Sequence, residues 1–387
     1  MAGSMRFEFA TAGRIIFGPG TAAQVPALAA GLGKRAFVVC AAHAGRTWLL
    51  DGLQAHGLAV VVWLVEREPQ VDDVIQAVQA SKAAGCDLVI GLGGGSTLDT
   101  GKAVAGLAAN PGEPLDYLEV VGAGKPLEMP SVPYLAIPTT AGTGAEVTRN
   151  AVLAVPEQGV KVSLRSPFLL PRLALVDPEL TLSLPPEVTA STGMDALTQV
   201  LEPLVCNAPT PLTDTLCRDG LSRVGSALPQ AYRRGSDLAA RQEMSLVSLY
   251  GGLALANARL GAVHGLAAPL GGLLSAPHGA ICARLLPLVM RANLAALRAR
   301  QPDSPALARY TEAARLLTGN SAARPEEGIA FVEELCRDLS IRPLGEFGLQ
   351  SAHFPTLVQQ AQLSSSMKGN PLPLTDEEIA GILAEAI

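Results

Sequence analysis

Short apolar runs alternate with helical patterns through the first part of the chain. Residues 71–84 place Val71, Val74, Ile75 and Val78 on one face of a predicted helix. The apolar runs that we interpret as strands cover residues 35–40, 58–64, 87–92, 134–138 and 173–177. Strands without clean polar alternation, separated by helices, predict a parallel sheet covered on both faces.

The pattern changes after Asp177. From Glu187 onward, long helical patterns dominate and strand signals are few, as in residues 237–257 and 307–317. We therefore place a boundary near residues 178–187 and predict an α/β domain over residues 1–180 and an all-α domain over residues 181–387. The polar stretches 300–304 and 319–327 are predicted to be mobile connectors between helices.

Residues 259–279, with the sequence RLGAVHGLAAPLGGLLSAPHG, contain His264 and His278. Prolines and glycines interrupt this segment, which predicts a helix carrying His264, a turn, and a new helix beginning near residues 277–278. The uncharged run from residue 260 to residue 283 is long enough to span a bilayer. Its two histidines and its prolines indicate buried protein core instead.

Asp195 and Gln199 share one face of a predicted helix upstream of these histidines. One carboxylate, one amide and the imidazoles of His264 and His278 could therefore surround a metal ion. An ordinary structural explanation is also open, with the histidines as satisfied core residues and the aspartate as a helix cap or dipole partner.

A glycine-rich loop follows the predicted strand at residues 87–92 and contains Gly93, Gly94 and Gly95. Several glycines let backbone N–H groups approach a phosphate closely. Ser96 and Asp99 form a capping-box pattern, which predicts that a helix starts there. Lys102 would then fall in the early turns of that helix, where a cation could meet an anionic ligand. The loop matches neither the dinucleotide fingerprint nor the Walker A motif, and a tight turn without a ligand is the alternative.

A second loop, residues 138–146, reads PTTAGTGAE and also follows a predicted strand. Thr139, Thr140 and Thr143 supply hydroxyls that suit pyrophosphate and ribose. Two such loops at the carboxyl ends of parallel strands predict a nucleotide-binding edge, because open α/β sheets bind ligands there.

Composition narrows the class of protein. The chain has 387 residues, of which 49% are hydrophobic and 17% charged, and this favours a compact enzyme that forms a homo-oligomer. The net charge of −6, without a basic patch interleaved with aromatics, argues against a nucleic-acid partner. Six scattered cysteines without a CxxC pair indicate reduced thiols that mostly fill core. The first residues, MAGSMRFEF, lack the apolar segment of a signal peptide, so we expect a cytoplasmic protein.

With these motifs in order, the chain resembles the iron-containing (group III) alcohol dehydrogenase family over nearly its whole length. The matching segments are residues 17–21 (FGPGT), 93–96, 138–146, 177–180 (DPEL), 193–197 (GMDAL), 263–265, 277–279 and 370–375 (NPLPLT). The resemblance implies a Rossmann-like domain that binds NAD or NADP and a helical domain that carries a divalent metal, with the substrate in the cleft between them. It also implies a small alcohol or carbonyl substrate and a dimer.

The family binds its metal through an aspartate and three histidines, and this chain matches three of the positions: Asp195, His264 and His278. Gln199 stands where the family has the remaining histidine, and Ala268 replaces a histidine found near the nicotinamide. The Gln199 amide could be a weaker ligand, or water could take the fourth place. The metal could also be lost, as in the similar maleylacetate reductases. The retained Asp195 favours a cation, since a buried carboxylate needs a partner. We expect Fe²⁺, alternatively Zn²⁺, with reduced selectivity.

The resemblance implies hydride transfer between NAD(P) and an alcohol, aldehyde or ketone, with the metal polarising the substrate oxygen. Lys161 is expected to point toward the cleft and to take part in catalysis or cofactor binding. Residues 40–43 read CAAH where many members have an aspartate that rejects the 2′-phosphate, so either NAD or NADP is expected, with Arg46 able to assist NADP.

Three other functions remain possible from the sequence. The first is a metal-free reductase of oxo acids of the maleylacetate type. The second is a lyase similar to the dehydroquinate synthases, against which the motifs above argue. The third is a non-catalytic protein that binds NAD(P), because two family histidines are missing.

Overall fold

The computed structural model describes residues 6–41, 45–119, 121–158 and 160–387. Its first half is built on a parallel six-stranded sheet with the order β1-β8-β5-β4-β2-β3. The strands of this sheet are β1 (Ile15–Phe17), β2 (Arg35–Ala41), β3 (Ala59–Val65), β4 (Leu88–Gly93), β5 (Tyr134–Pro138) and β8 (Leu173–Val176). The prediction of a parallel sheet is therefore confirmed, and each of the five predicted strands is present within about one residue of its expected bounds.

Helices cover both faces of this sheet. They are α1 (Val25–Ala30), α2 (Thr47–Ala55), α3 (Val71–Ala83), α4 (Gly95–Ala109) and the short α5 (Pro114–Tyr117). In β2, Ala36 and Val38 join the core beneath α1 and α2, whereas Phe37 and Val39 join the core beneath α3 and α4. Because successive side chains point to opposite faces, a strand buried on both sides is apolar throughout.

Two features of this half were not predicted. The strand β1 has only three residues, too few for a periodic signal. The strands β6 (Asn150–Val155) and β7 (Val160–Arg165) form a separate antiparallel pair. The bridge between Gln70 and Ala154 attaches this pair to the start of α3.

Residues 177–387 contain no strand, as predicted for the second half. The helices there are α6 (Pro186–Val205), α7 (Pro211–Arg233), α8 (Leu238–Asn257), α9 (Ala262–Leu273), α10 (His278–Arg300), α11 (Pro305–Thr318), α12 (Pro325–Asp338), α13 (Phe354–Leu363) and α14 (Asp376–Ala386). They enclose one large apolar core. The division into separate domains at residue 180 stays a prediction.

The helix α9 carries His264, and α10 begins at His278, so the predicted break in the 259–279 segment is confirmed. The break lies at residues 274–277, beyond Pro269, which α9 accommodates. Within the run expected to be core, residues 261–267 are all buried, whereas residues 268, 273, 275 and 277 are exposed, so the expectation holds only for part of it. By length and composition alone, α10 could cross a membrane, but 72% of its most apolar stretch is buried inside the protein. The helices α8 and α9 are long and apolar enough only when taken together, and they are bent by 96° relative to each other.

The sheet and the helices meet closely where the second loop touches α8. Gly144 has φ of 59°, and a Cβ there would lie 2.6 Å from the backbone nitrogen of Gly252. A Cβ on Gly252 would in turn lie 2.7 Å from the Cα of Gly144. Only glycine permits this backbone-to-backbone contact, which fixes the second loop against the helical half.

Candidate active site

Three helices bring Asp195, His264 and His278 together at one point. The Asp195 Oδ1 atom lies 3.4 Å from His264 Nε2 and 3.8 Å from His278 Nε2. The Cys282 Sγ atom, one turn beyond His278 on α10, lies 3.6 Å from His278 Nε2. One ligand atom from each of these four side chains lies within 4.8 Å of all the others. We call these four residues the Asp–His–His–Cys cluster.

The first turn of α9 is held by side chains from α6 and from the segment before α14, because its N-cap, Gly261, has no side chain. The Ala262 N–H donates to Asn370 Oδ1 at 3.1 Å, and the Val263 N–H donates to Glu202 Oε1 at 2.7 Å. The other Glu202 oxygen lies 2.7 Å from His264 Nδ1. Glu202 therefore orients the imidazole so that His264 Nε2 faces Asp195.

The close approach of α10 to α6 depends on Gly279. A Cβ at this position would lie 2.6 Å from the carbonyl carbon of Ser191 and 3.3 Å from the Asp195 Cβ. The missing side chain lets the first turn of α10 rest on the α6 backbone. His278 and Cys282 therefore reach the Asp195 carboxylate.

Burial and charge oppose each other in this cluster. Burial disfavours the Asp195 carboxylate, but the neighbouring imidazoles outweigh it and lower the pKa of this carboxyl. Burial likewise disfavours imidazolium at His264, yet the carboxylates of Asp195 and Glu202 raise its pKa to about 10. Burial lowers the pKa of His278. Burial, reinforced by the nearby carboxylates, raises the pKa of the Cys282 thiol well above its ordinary value.

Several polar atoms of the site lack a partner. Among the described residues, the buried atoms Asp195 Oδ1, His264 Nε2 and Gln199 Oε1 have no hydrogen-bond partner. Buried polar atoms are normally satisfied, and a carboxylate oxygen facing imidazole nitrogens is a donor set that suits a divalent cation. The residues present therefore fit the metal that the resemblance implies.

The two positions that depart from the family differ in their surroundings. The Gln199 amide contacts the Asp195 carboxylate and helps to lower its pKa. Its oxygen is turned toward α8 and lies 3.6 Å from the position that a Cβ on Gly251 would take. Ala268 lies one turn beyond His264 on α9 and is exposed, so its methyl group offers no protonatable atom at that point.

The two glycine- and threonine-containing loops lie side by side at the carboxyl edge of the sheet. The Thr139 N–H donates to the Gly93 carbonyl at 3.0 Å. A Cβ on Gly94 would lie 3.2 Å from the Thr140 methyl, and one on Gly95 would lie 2.9 Å from the Thr143 methyl. The glycines thus leave a cradle that a side chain would fill, next to the N-terminus of α4. Such a cradle fits a pyrophosphate.

The predicted start of α4 was wrong by a small amount. The helix begins at Gly95, and its N-cap is Gly94, which has no side-chain cap, so Ser96 and Asp99 do not form a capping box. Ser96 lies partly exposed in the first turn. The Asp99 carboxylate is 2.9 Å from Lys102 Nζ and accepts the Val152 N–H at 3.0 Å. It therefore joins α4 to β6, and its contact with a cofactor stays a prediction.

The expectation that Lys102 meets an anionic ligand was also wrong. Its side chain is fully buried and donates to Thr148 Oγ1 at 2.9 Å and to the Asn150 carbonyl. The position in the early turns of α4 was correct, but the side chain faces the β6–β7 pair. Asp99 is the third partner of Lys102, and its carboxylate neutralises the lysine charge inside the protein.

Lys161 lies between the β6–β7 pair and α9, and its place in the cleft stays a prediction. Its side chain on β7 is only 12% exposed, and its Nζ lies 2.6 Å from a carboxylate oxygen of Glu68. The same Nζ lies 3.0 Å from the position of a Cβ on Gly271, on α9. Its charge acts on His278 and contributes to the lowered pKa of that imidazole.

Two residues of the site were not found from the sequence. Glu202 lies seven residues after Asp195, which is the spacing of one helix face, and it orients His264. Cys282 lies four residues after His278 on the same face of α10. Cys282 is buried in the core, as expected for most of the cysteines, and it also belongs to the cluster. Both spacings were signals that the sequence offered.

The chain belongs to the iron-containing alcohol dehydrogenase family. Residues 12–178 match the family model "Iron-containing alcohol dehydrogenase", and residues 189–387 match "Fe-containing alcohol dehydrogenase family, C-terminal". The chain is 36% identical to the probable alcohol dehydrogenase EutG of Escherichia coli (strain K12) over 340 residues, covering 87% of this chain and 82% of that protein.

Solved structures agree with this membership. A 1,3-propanediol oxidoreductase superimposes with a TM-score of 0.91 at 32% identity, covering 99% of this chain and 100% of that one. The sulfoacetaldehyde reductase of Bifidobacterium kashiwanohense, solved with NAD⁺, gives a TM-score of 0.86 at 28% identity over 98% of both chains. The protein is an oxidoreductase that interconverts alcohols and aldehydes, and its family generally uses NAD(P) and iron or another divalent metal. The metal-free reductase is not favoured.

Proposed function

We propose that this chain is a metal-dependent NAD(P)-linked alcohol dehydrogenase in which Asp195, His264 and His278 hold a divalent cation, Fe²⁺ or alternatively Zn²⁺. The observation that carries the proposal is that the buried atoms Asp195 Oδ1 and His264 Nε2 make no hydrogen bond although they lie 3.4 Å apart. Leaving such atoms unsatisfied is unfavourable, and one cation between them satisfies both.

A divalent cation at this point supplies Lewis acidity toward the alcohol or carbonyl oxygen of the substrate. The protein side chains prepare the site for it. Glu202 accepts the Nδ1 proton of His264 and so directs Nε2 toward Asp195, where a cation would replace the Nε2 proton. His278 is 36% exposed, so the cluster opens to the cleft on its side. With Ala268 on α9, the proton of the alcohol reaches solvent through water, the cofactor ribose or another side chain.

We propose that the cofactor is NAD or NADP, bound by Gly93, Gly94, Gly95 and Ser96 of the first loop and by the threonines of the second. The cradle between the loops and the N-terminus of α4 supports this assignment. The segment that would discriminate the 2′-phosphate includes residues 42–44, which lie outside the described residues. Measuring kcat/KM for NADH and NADPH in wild type and in Arg46→Ala tests the expected weak discrimination.

We propose that Lys161 lies in the cleft, where it contacts the cofactor pyrophosphate or the substrate. The alternative is a lysine on the protein surface. The burial of Lys161 and its position over Gly271 support the role in the cleft. Lys161→Met should raise the KM for cofactor or substrate. An unchanged KM for both would restrict Lys161 to its ion pair with Glu68.

The metal assignment is tested by elemental analysis and turnover together. Protein is stripped with a chelator and then reloaded anaerobically with Fe²⁺ or Zn²⁺, and NAD(P)H oxidation is followed with a panel of aldehydes. About one equivalent of metal should bind, and Asp195→Asn should lose it together with turnover. Asp338→Asn is the matched control, since that carboxylate makes an exposed ion pair with Arg233. Full turnover in the stripped protein would sink the proposal.

We further propose a homodimer in a reducing, cytoplasmic compartment, acting on a small alcohol or carbonyl compound. The exposed apolar side chains Val62 and Leu64 on the edge strand β3 support self-association. Free thiols at all six cysteines support the compartment. Light scattering after size exclusion gives the mass of the assembly, and a monomer at micromolar concentration would contradict the dimer.

A further inference from the structure

We propose that Cys282 is the fourth protein ligand of the metal, so that a thiolate takes the place of the histidine that Gln199 replaces. The inference rests on the proposed metal-dependent function. It adds a sulfur ligand to the Asp195, His264 and His278 set.

The spacing of the four ligand atoms supports a tetrahedral site. Metal–ligand distances of about 2.0–2.3 Å in such a site place neighbouring ligand atoms roughly 3.3–3.6 Å apart. The observed separations are 3.4 Å between Asp195 and His264, 3.8 Å between Asp195 and His278, and 3.6 Å between Cys282 and His278. The Cys282 sulfur therefore lies at a ligand's distance from His278 and within 4.8 Å of the ligand atoms of Asp195 and His264.

The helix geometry directs the Cys282 sulfur to the same point as the His278 imidazole. His278 and Cys282 are one turn apart at the start of α10, so both side chains leave the helix on the face that meets α6. Gly279 lets that face rest on the α6 backbone near Asp195. Cys282 is fully buried, and its sulfur is enclosed by the cluster.

We propose that Gln199 supports this ligand set and does not complete it. Its amide group contacts the Asp195 carboxylate, and its buried oxygen lies 3.6 Å from the position of a Cβ on Gly251 of α8. We assign it to positioning Asp195. When the metal binds, the Cys282 thiol releases its proton to solvent, because the thiolate is the form that ligates.

A thiolate also predicts which metals the site prefers. Sulfur ligands favour zinc and other softer cations over magnesium and manganese. Removing Cys282 should therefore weaken Zn²⁺ and Co²⁺ binding more than Mn²⁺ binding. Loss of an outer-shell partner typically weakens metal binding about 10–100-fold, and the loss for Zn²⁺ on removing a direct ligand should exceed this range.

The test uses Co²⁺ and the full-length chain. Wild-type protein loaded with Co²⁺ should show a near-ultraviolet band from thiolate-to-cobalt charge transfer. Cys282→Ser should bind Co²⁺ more weakly and lose the band, whereas Gln199→Ala should keep it. Cys86→Ser is the control, because that thiol lies at the turn between α3 and β4.

X-ray absorption of Zn²⁺-loaded wild type needs no variant, so it remains decisive if Cys282→Ser does not fold. A sulfur neighbour at about 2.3 Å supports the proposal. Stoichiometric metal with only nitrogen and oxygen neighbours, or a cobalt band that survives Cys282→Ser, overturns the Cys282 assignment and leaves the proposed function standing. No bound metal in any preparation overturns both.

Discussion

Glu202 is expected to control the site without touching the reacting atoms. Its two oxygens accept the Val263 N–H and the His264 Nδ1–H, both at 2.7 Å, and its side chain is buried. In Glu202→Gln the amide oxygen can satisfy one of these donors, while the amide NH₂ faces the other. One buried donor is left unsatisfied, which costs about 1–3 kcal/mol of unfolding free energy. Glu202→Ala loses both partners and should cost about 2–6 kcal/mol.

The assay separates folding from metal binding. Urea unfolding of chelator-treated protein gives the stability cost alone. Competition with a coloured chelator then gives the Zn²⁺ affinity, which should fall about 10–100-fold in Glu202→Gln, because His264 loses the group that fixes its ring. Glu312→Gln is the matched control: its carboxylate pairs with Arg218 at a partly exposed position, and the change should cost about 0–1 kcal/mol. If Glu202→Gln matches Glu312→Gln in both stability and Zn²⁺ affinity, the reasoning about His264 orientation is wrong.

Four further substitutions, one of them a control, test other parts of the structure. Burial raises the pKa of Glu146 from 4.5 to about 7, so between these values the native protein keeps a proton that the unfolded chain has lost. The free energy of unfolding should therefore fall as pH rises through that window, and Glu146→Gln should remove about 3 kcal/mol of this fall. Urea unfolding at about pH 5 and pH 8 measures the difference. Equal pH dependence in wild type and Glu146→Gln would contradict the prediction. Gly279→Ala forces a methyl group onto the Ser191 carbonyl and should cost about 1–3 kcal/mol and weaken Zn²⁺ binding at least tenfold. Gly381→Ala, where nothing lies within 4 Å, should instead stabilise α14 by about 0.5–1 kcal/mol in thermal unfolding. Lys102→Met should lower the free energy of unfolding by about 3–5 kcal/mol, because the buried partners of Lys102 are left unpaired, and it should change the Kd of NADH little. A large rise in that Kd with normal stability would indicate that Lys102 binds the cofactor after all.

Sequence patterns predicted the fold best for strands that are buried on both faces. Strands covered on both faces are apolar throughout, as β4 shows with all six residues buried, and such runs stand out from their surroundings. The β6–β7 pair was missed although each strand has six residues and β7, with the sequence VKVSLR, alternates apolar and polar residues as a half-buried strand does. Its partner β6, NAVLAV, does not alternate, and a short turn at Pro156 joins the two strands.

The side chains of the site divide in a similar way. The family motifs locate Asp195, His264 and His278, and the structure places them together. The sequence placed Lys102 in the correct turn of α4, but the face that a buried lysine takes depends on β6, which lies far along the chain. The role of Cys282 depends on the crossing of α6 and α10, and helical spacing alone does not define that crossing.

The contact between Gly144 and Gly252 makes the two halves of the site mechanically continuous. Side chains at a seam can change rotamer and absorb a small displacement, whereas two backbones in direct contact cannot. The second loop and α8 therefore keep a fixed spacing at this point. The neighbouring Gly251 packs against the Gln199 Cβ. Two adjacent glycines on one helix thus tie the backbone of the second loop to the helix that carries Asp195.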